Sequence, residues 1–181
     1  ASRRRMDRKE APSVIDLPKL LRSLYPPGSH QEFRSIQSSG SSLVSFSSDP
    51  PPSLPHRNIY VGVQPRTRED GHASSIPYYV ALVADLDKDA DTTKRSLGRL
   101  AAAKLHPSIV VASGSPGAIH TYHLLKGPTP KLEAEPVAKA WCRWLESHAV
   151  HDPARILRVP GTRNWKPDGG MCRVLRWIPE R

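Results

Sequence analysis

No apolar run in this sequence is long enough to span a bilayer, and no hydrophobic segment follows Arg3, Arg4 and Arg5 as it would in an export signal. A soluble protein with no membrane partner is expected. Cysteine is scarce: Cys142 and Cys172 lie far apart with no second pair to complete a zinc site, which argues for no zinc and a reduced, cytoplasmic setting. Acids are also in short supply, with 17 Asp plus Glu against 27 Lys plus Arg and a formal net charge of +10. Such an excess favours a polyanionic partner, of which nucleic acid is the commonest. The 19 prolines and 11 glycines follow no period, which excludes a repeat array. At 181 residues the chain is long enough for one compact domain, expected over 11–181 behind a basic, solvated lead at 1–10.

The pattern of apolar residues predicts a strand-rich α+β order without clean βαβ alternation. A short helix is expected through Leu17, Leu20, Leu21 and Leu24 with Pro18 in its first turn, then a hairpin made of "EFRSI" and "LVSFS". The proline-rich stretch at 48–55 reads as a surface loop before the strand "RNIYVGVQPR". After the strand "IPYYVALVADLD" comes a helix expected to be capped by Asp91, with Leu97, Leu100, Ala101 and Leu105 on one face. The strands "SIVVAS" and "AIHTYHLL" flank a tight "GSPG" turn. A helix is predicted after Pro136, burying Val137, Ala140, Trp141, Trp144 and Leu145, and the tail reads as strand, Pro-Gly loop and closing strand.

Asp85 and Asp87 end a strand that otherwise reads as buried. Alternation puts both on one face, roughly 6 to 7 Å apart along the chain. Two anions at that spacing repel unless a cation lies between them, and carboxylate-bound Mg²⁺ or Mn²⁺ serves phosphoryl transfer in this way. A calcium loop fails, because Ala90 stands where the sharp turn needs Gly and Ser96 where a bidentate Glu belongs. Ser113, Ser115 and Gly117 form a turn suited to phosphate oxygens, and His120 on the next strand can donate to the same anion. His120 and His123 are three apart and point to opposite faces, which disfavours a metal-binding histidine pair of the rolling-circle nuclease kind. Further on, Asp152 precedes Arg155, Arg158, Arg163, Asn164 and Lys166 around a Pro-Gly turn, a set able to clamp a triphosphate or template backbone.

Taken in order, "NIYVGVQPR", "LVADLD", "SPGAIH" and "DPARILRVPGTRNWK" resemble the motifs of the archaeo-eukaryotic primase superfamily, specifically the primase-polymerase domains of phages and plasmids. The resemblance implies a primase core with an RRM-like catalytic half flanked by helices. It also implies nucleotidyl transfer on single-stranded DNA, making or extending primers from nucleoside triphosphates. Asp85, Asp87 and Asp152 match the metal-binding acids, for Mg²⁺ or Mn²⁺, and His120 matches the histidine at the incoming phosphates. Ser113, Ser115 and Gly117 fall in the phosphate turn. Arg66, Arg158 and Lys166 match basic positions near nucleotide or template, Arg155 and Arg163 are expected to contact DNA, and Asn164 is expected to order its loop. The turn carries Ser115, Pro116, Gly117 and Ala118 where the family often has a run of glycines, and His123 replaces a common aromatic. Relatives are frequently fused to a helicase motor, and a bacterial, nucleoid-associated cytoplasmic setting is implied. The runner-up is a noncatalytic origin-binding module on the same fold.

Overall fold

The computed structural model of the protein describes residues 15–178, so the basic lead expected at 1–10 lies outside the described residues. The element order is α1 (Leu17–Ser23), β1 (Glu32–Gln37), β2 (Ser42–Phe46), β3 (Arg57–Gly62), β4 (Tyr78–Leu86), α2 (Ala90–Ala102), β5 (Ile109–Ala112), β6 (Ile119–Pro130), α3 (Lys131–Trp144), β7 (Ile156–Arg158) and β8 (Arg173–Trp177). The strands form two four-stranded sheets, in the orders β2-β1-β3-β7 and β4-β6-β5-β8, and every pairing is antiparallel. This is the expected α+β class. No helix among the described residues is long and apolar enough to cross a membrane.

The main core joins residues of both sheets: Phe33, Ile59, Val61 and Leu157 from one, and Ala81, Val83, Ile109, Val111 and Tyr122 from the other. Leu17 and Leu21 of α1 enter the same core, and that short helix is started by the Asp16 carboxylate, which accepts the Lys19 N–H at 3.1 Å. The opposite face of β4 carries Ala84 and Leu86 against Leu100 and Leu145. Adjacent β4 residues therefore serve different layers, and alternation alone sends Ala81, Val83 and Asp85 toward the main core.

Two helix expectations are corrected. Asp89, not Asp91, caps α2: its carboxylate takes both the N–H and the hydroxyl of Thr92 at 2.7 Å, and the inward stripe is Thr92, Ser96 and Leu100. Leu97 stays exposed, because the Ser96 hydroxyl donates to the Leu145 carbonyl and so turns that face inward, and Leu105, also exposed, lies beyond the end of the helix. α3 begins at Lys131 and contains Pro136 instead of starting after it. The carbonyl that Pro136 leaves without its helical donor belongs to Leu132, which is exposed and open to water. α3 buries Ala134, Ala138 and Cys142, small side chains that permit close approach to β4, while Val137 and Trp144 face outward.

The β4–β6 register breaks once. β6 advances from Thr129 to Leu124 while β4 advances only from Tyr79 to Ala81. At that point the buried Gln64 amide bridges the β4 backbone, accepting from Val80 N–H and donating to Ala81 C=O, both at 2.8 Å.

Candidate active site

Along the facing rows of β4 and β6, Ala81 opposes Leu124, Val83 opposes Tyr122 and Asp85 opposes His120. The apolar interior thus runs out at an acid and an imidazole. His120 is 4 % exposed, and its Nε2 stands 3.7 Å from Asp85 Oδ1, too far for a hydrogen bond. Burial, with the Arg158 guanidinium nearby, pushes the His120 pKa down to about 3, so the ring is neutral at physiological pH. Burial first, then the neighbouring charge of Asp87, pushes the Asp85 pKa up. Asp85 Oδ1 is enclosed and has no hydrogen-bond partner among the described residues. A buried carboxylate oxygen without a donor, repelled by a second carboxylate, is a chemical environment that a cation relieves.

The backbone holds Asp85 from its free side. His148 N–H donates to the Asp85 carbonyl at 3.0 Å, and the Asp85 N–H reaches the Ser147 hydroxyl at 3.4 Å. His148, Arg155 and Arg158 oppose the rise in the Asp85 pKa, so three basic groups surround this acid. Sequence reasoning missed His148, because it sits in the loop after α3 and reaches the site only through pairing with the edge of β4.

The turn between β5 and β6 is tight, with Gly114 at φ +86° and Gly117 at φ +71°. A Cβ on Gly114 would come within 2.7 Å of the Gly170 carbonyl and 2.8 Å of the Asn164 side chain. Asn164, buried, donates to the Ser115 hydroxyl at 3.1 Å, and Gly170 N–H donates to the Gly114 carbonyl at 2.6 Å. The Pro-Gly loop therefore props the turn. Ser113 is buried; Pro116, Gly117 and Ala118 line a small cavity of about 80 Å³ together with Asp87, Lys88 and Thr93.

Arg158 is almost fully buried and comes from the other sheet, donating to the Ser113 carbonyl at 2.8 Å and to the Tyr60 hydroxyl at 3.1 Å. Its guanidinium lies 5.2 Å from the Tyr60 ring centre. Tyr60 also escaped notice in the sequence, which carries no signal that β3 pairs with β7 and sets Tyr60 beside Arg158.

Two expected members stand apart. Arg66 is fully buried and forms an ion pair with the equally buried Glu32, so it offers no surface to a nucleotide. Asp152 is exposed and caps its own turn, accepting the Ala154 N–H at 2.9 Å. Among the described residues no three His, Cys, Asp or Glu side chains gather closely enough to hold a metal ion, so the expected trio of acids is not assembled. Asp85 and Asp87 remain as a pair, and Mg²⁺ is commonly held by one or two carboxylates with substrate phosphates completing its shell. The two acids fit that ion. Arg155 is exposed and anchored by a 2.7 Å bond to the Ala149 carbonyl, while Arg163 and Lys166 project from the Pro-Gly loop.

No protein-family model matches the chain, and neither does any curated protein sequence. Solved structures do. The archaeo-eukaryotic primase domain of the cyanophage S-2L primase-polymerase superposes with a TM-score of 0.69 at 15% identity, over 91% of this chain and 90% of that one. The primase RepB' matches with a TM-score of 0.63 at 12% identity, over 90% of this chain and 55% of that one. The catalytic domain of RepB' in complex with initiator DNA gives 0.62 at 12% identity, over 90% and 83%. Two antiparallel sheets with Asp85 and His120 facing each other at a strand end are thus built on the fold of an archaeo-eukaryotic primase-polymerase domain.

Proposed function

We propose that the chain is the catalytic domain of a DNA primase-polymerase, joining nucleoside triphosphates on a single-stranded DNA template with release of pyrophosphate. The observation that carries this reading is the cross-strand Asp85–His120 pair, with Asp87 two residues on and a glycine turn alongside. Asp85 and Asp87 would hold Mg²⁺ or Mn²⁺. When bound, that ion lowers the pKa of an attacking 3′ hydroxyl and neutralises charge on the phosphoryl group. The neutral His120 ring keeps one N–H to donate to a phosphate oxygen without adding a net charge beside Asp85. The turn around Ser115 and Gly117 offers backbone N–H groups to the same triphosphate, and Arg158 supplies a fixed cation beside it. Arg155, Arg163 and Lys166 would hold template phosphates, so binding should weaken steeply with salt. Asp152 and Arg66 are left out of this chemistry. A fused or partner helicase would open duplex ahead of the domain in a bacterial cytoplasm.

The test is incorporation of labelled ribo- and deoxynucleotides on primed and unprimed single-stranded templates, with Mg²⁺ or Mn²⁺. Extension should fall at least about 100-fold in an Asp85→Ala, Asp87→Ala double variant, the order seen when charge stabilisation is removed from a reacting centre. An intact chain that binds DNA yet incorporates nothing with either ion would sink the catalytic reading and leave an origin-binding module.

A further inference from the structure

Trp165 stands on the Pro-Gly loop, half-buried, and belongs to none of the three hydrophobic clusters among the described residues. Its indole N–H is enclosed without an acceptor among the described residues, whereas a tryptophan buried for structure usually pairs that group. What holds the residue is backbone: Trp165 N–H donates to the buried Asn58 side chain at 2.9 Å. The two side chains against it are exposed. His56 lies 5.0 Å from the indole between centroids, tilted by 45°, and the Arg163 guanidinium lies 5.3 Å from the indole centre. Lys166 follows at once, and Asp168 is the acid on the same loop.

This cluster is fixed relative to the candidate site. The same loop donates from Asn164 to Ser115 and from Gly170 to Gly114, so the indole and the phosphate turn share one frame. An indole flanked by an imidazole and a guanidinium, bordered by lysine, matches what unpaired bases meet on single-strand binders: a π surface for the base and cations for its phosphates. We infer that His56, Trp165 and Arg163 form a stacking platform for an unpaired base of the single-stranded nucleic acid that reaches the Asp85–His120 site. The inference rests on the function proposed above for its partner, but not on catalysis. Arg163, exposed on a long flexible type of side chain, would lift from the indole or stack on the far side of the base.

The test is equilibrium binding of a labelled oligodeoxythymidine and an abasic strand of equal length, without nucleotide or metal. Trp165→Ala should weaken binding to oligodeoxythymidine about five-fold or more, the loss of one stacked base. Its affinity for the abasic strand should not change. Trp165→Phe, which keeps a ring, should stay within about two-fold of the parent. His56 has φ +58°, so His56→Asn removes the imidazole while keeping a residue that tolerates that backbone, and it should also weaken only the base-bearing strand. Equal loss on both strands, or no loss in Trp165→Ala, overturns the platform. A protein that incorporates nucleotides while Trp165→Ala binds normally refutes this inference alone. Base-dependent binding without any incorporation refutes only the catalytic reading.

Discussion

Asp85→Asn should make the metal-free protein more stable, although it removes a group on which activity is proposed to depend. The folded-state pKa of Asp85 is raised by burial and by Asp87. A raised carboxyl pKa contributes stability while the group is protonated and loses it as the pH rises through that value, so at neutral pH the ionised side chain is a burden. Two strand residues apart, about 6.6 Å, the repulsion between the carboxylates is about 0.6 kcal/mol if water screens it fully and about 2.5 kcal/mol at an effective dielectric near 20. Asp87 is exposed, which favours the lower half of that range. A gain of about 1 kcal/mol raises the melting temperature of a protein this size by about 2–4 °C. Saturating Mn²⁺ should then reverse the ranking: at about 100 times its dissociation constant it stabilises the parent by about 2.7 kcal/mol and the variant by little. Thermal unfolding at pH 7, with chelator and with Mn²⁺, reads all four values. A variant that melts lower than the parent in chelator, or that gains as much from Mn²⁺, would refute the reasoning that these acids await a cation.

Glu32→Ala leaves the buried Arg66 charge without its partner and should cost about 3–5 kcal/mol in denaturant unfolding; a loss below about 1 kcal/mol would mean that Arg66 reaches solvent. Gly114→Ala should destabilise clearly more than Gly117→Ala in denaturant unfolding, since both have positive φ but only Gly114 is crowded by backbone; equal losses would contradict that crowding. Cys172 is fully buried with its thiol pushed up to about 12, and Cys142 is nearly so, so a thiol reagent at pH 8 should label neither until denaturant is added; rapid native labelling of either would contradict the packing.

Local pattern made the strands that carry the candidate site legible. The run from Tyr78 to Asp87, the "GSPG" turn and the strand bearing His120 were all placed from alternation and glycine, because each signal spans only a few adjacent residues. The two helix faces were misjudged for a common reason. Leu97, Val137 and Trp144 are large and apolar, but the inward faces carry small side chains, Ser96 against the Leu145 carbonyl and Ala134 and Ala138 on α3. Arg66 shows the other limit: its charge is visible in the sequence, whereas the acid that neutralises it lies 34 positions away on β1. Asp152 was placed beside Asp85 and Asp87 by the motif resemblance, which carries no information on the turn whose Ala154 N–H its carboxylate accepts. His148 and Tyr60 acquire their positions through pairings between distant segments, which no periodicity announces.

The break in β4–β6 register, clamped by Gln64, has a consequence for how this chain tolerates length changes. A residue added before Tyr79 meets a place where the ladder is already discontinuous, and the irregularity can absorb it. One residue added between Ala81 and Ala84 has no such buffer: it would turn the carboxylate toward α2 and send Ala84 into the place of the acid. The clamp thus divides one strand into an upstream part free to change in length and a downstream part whose residue count decides which layer Asp85 faces.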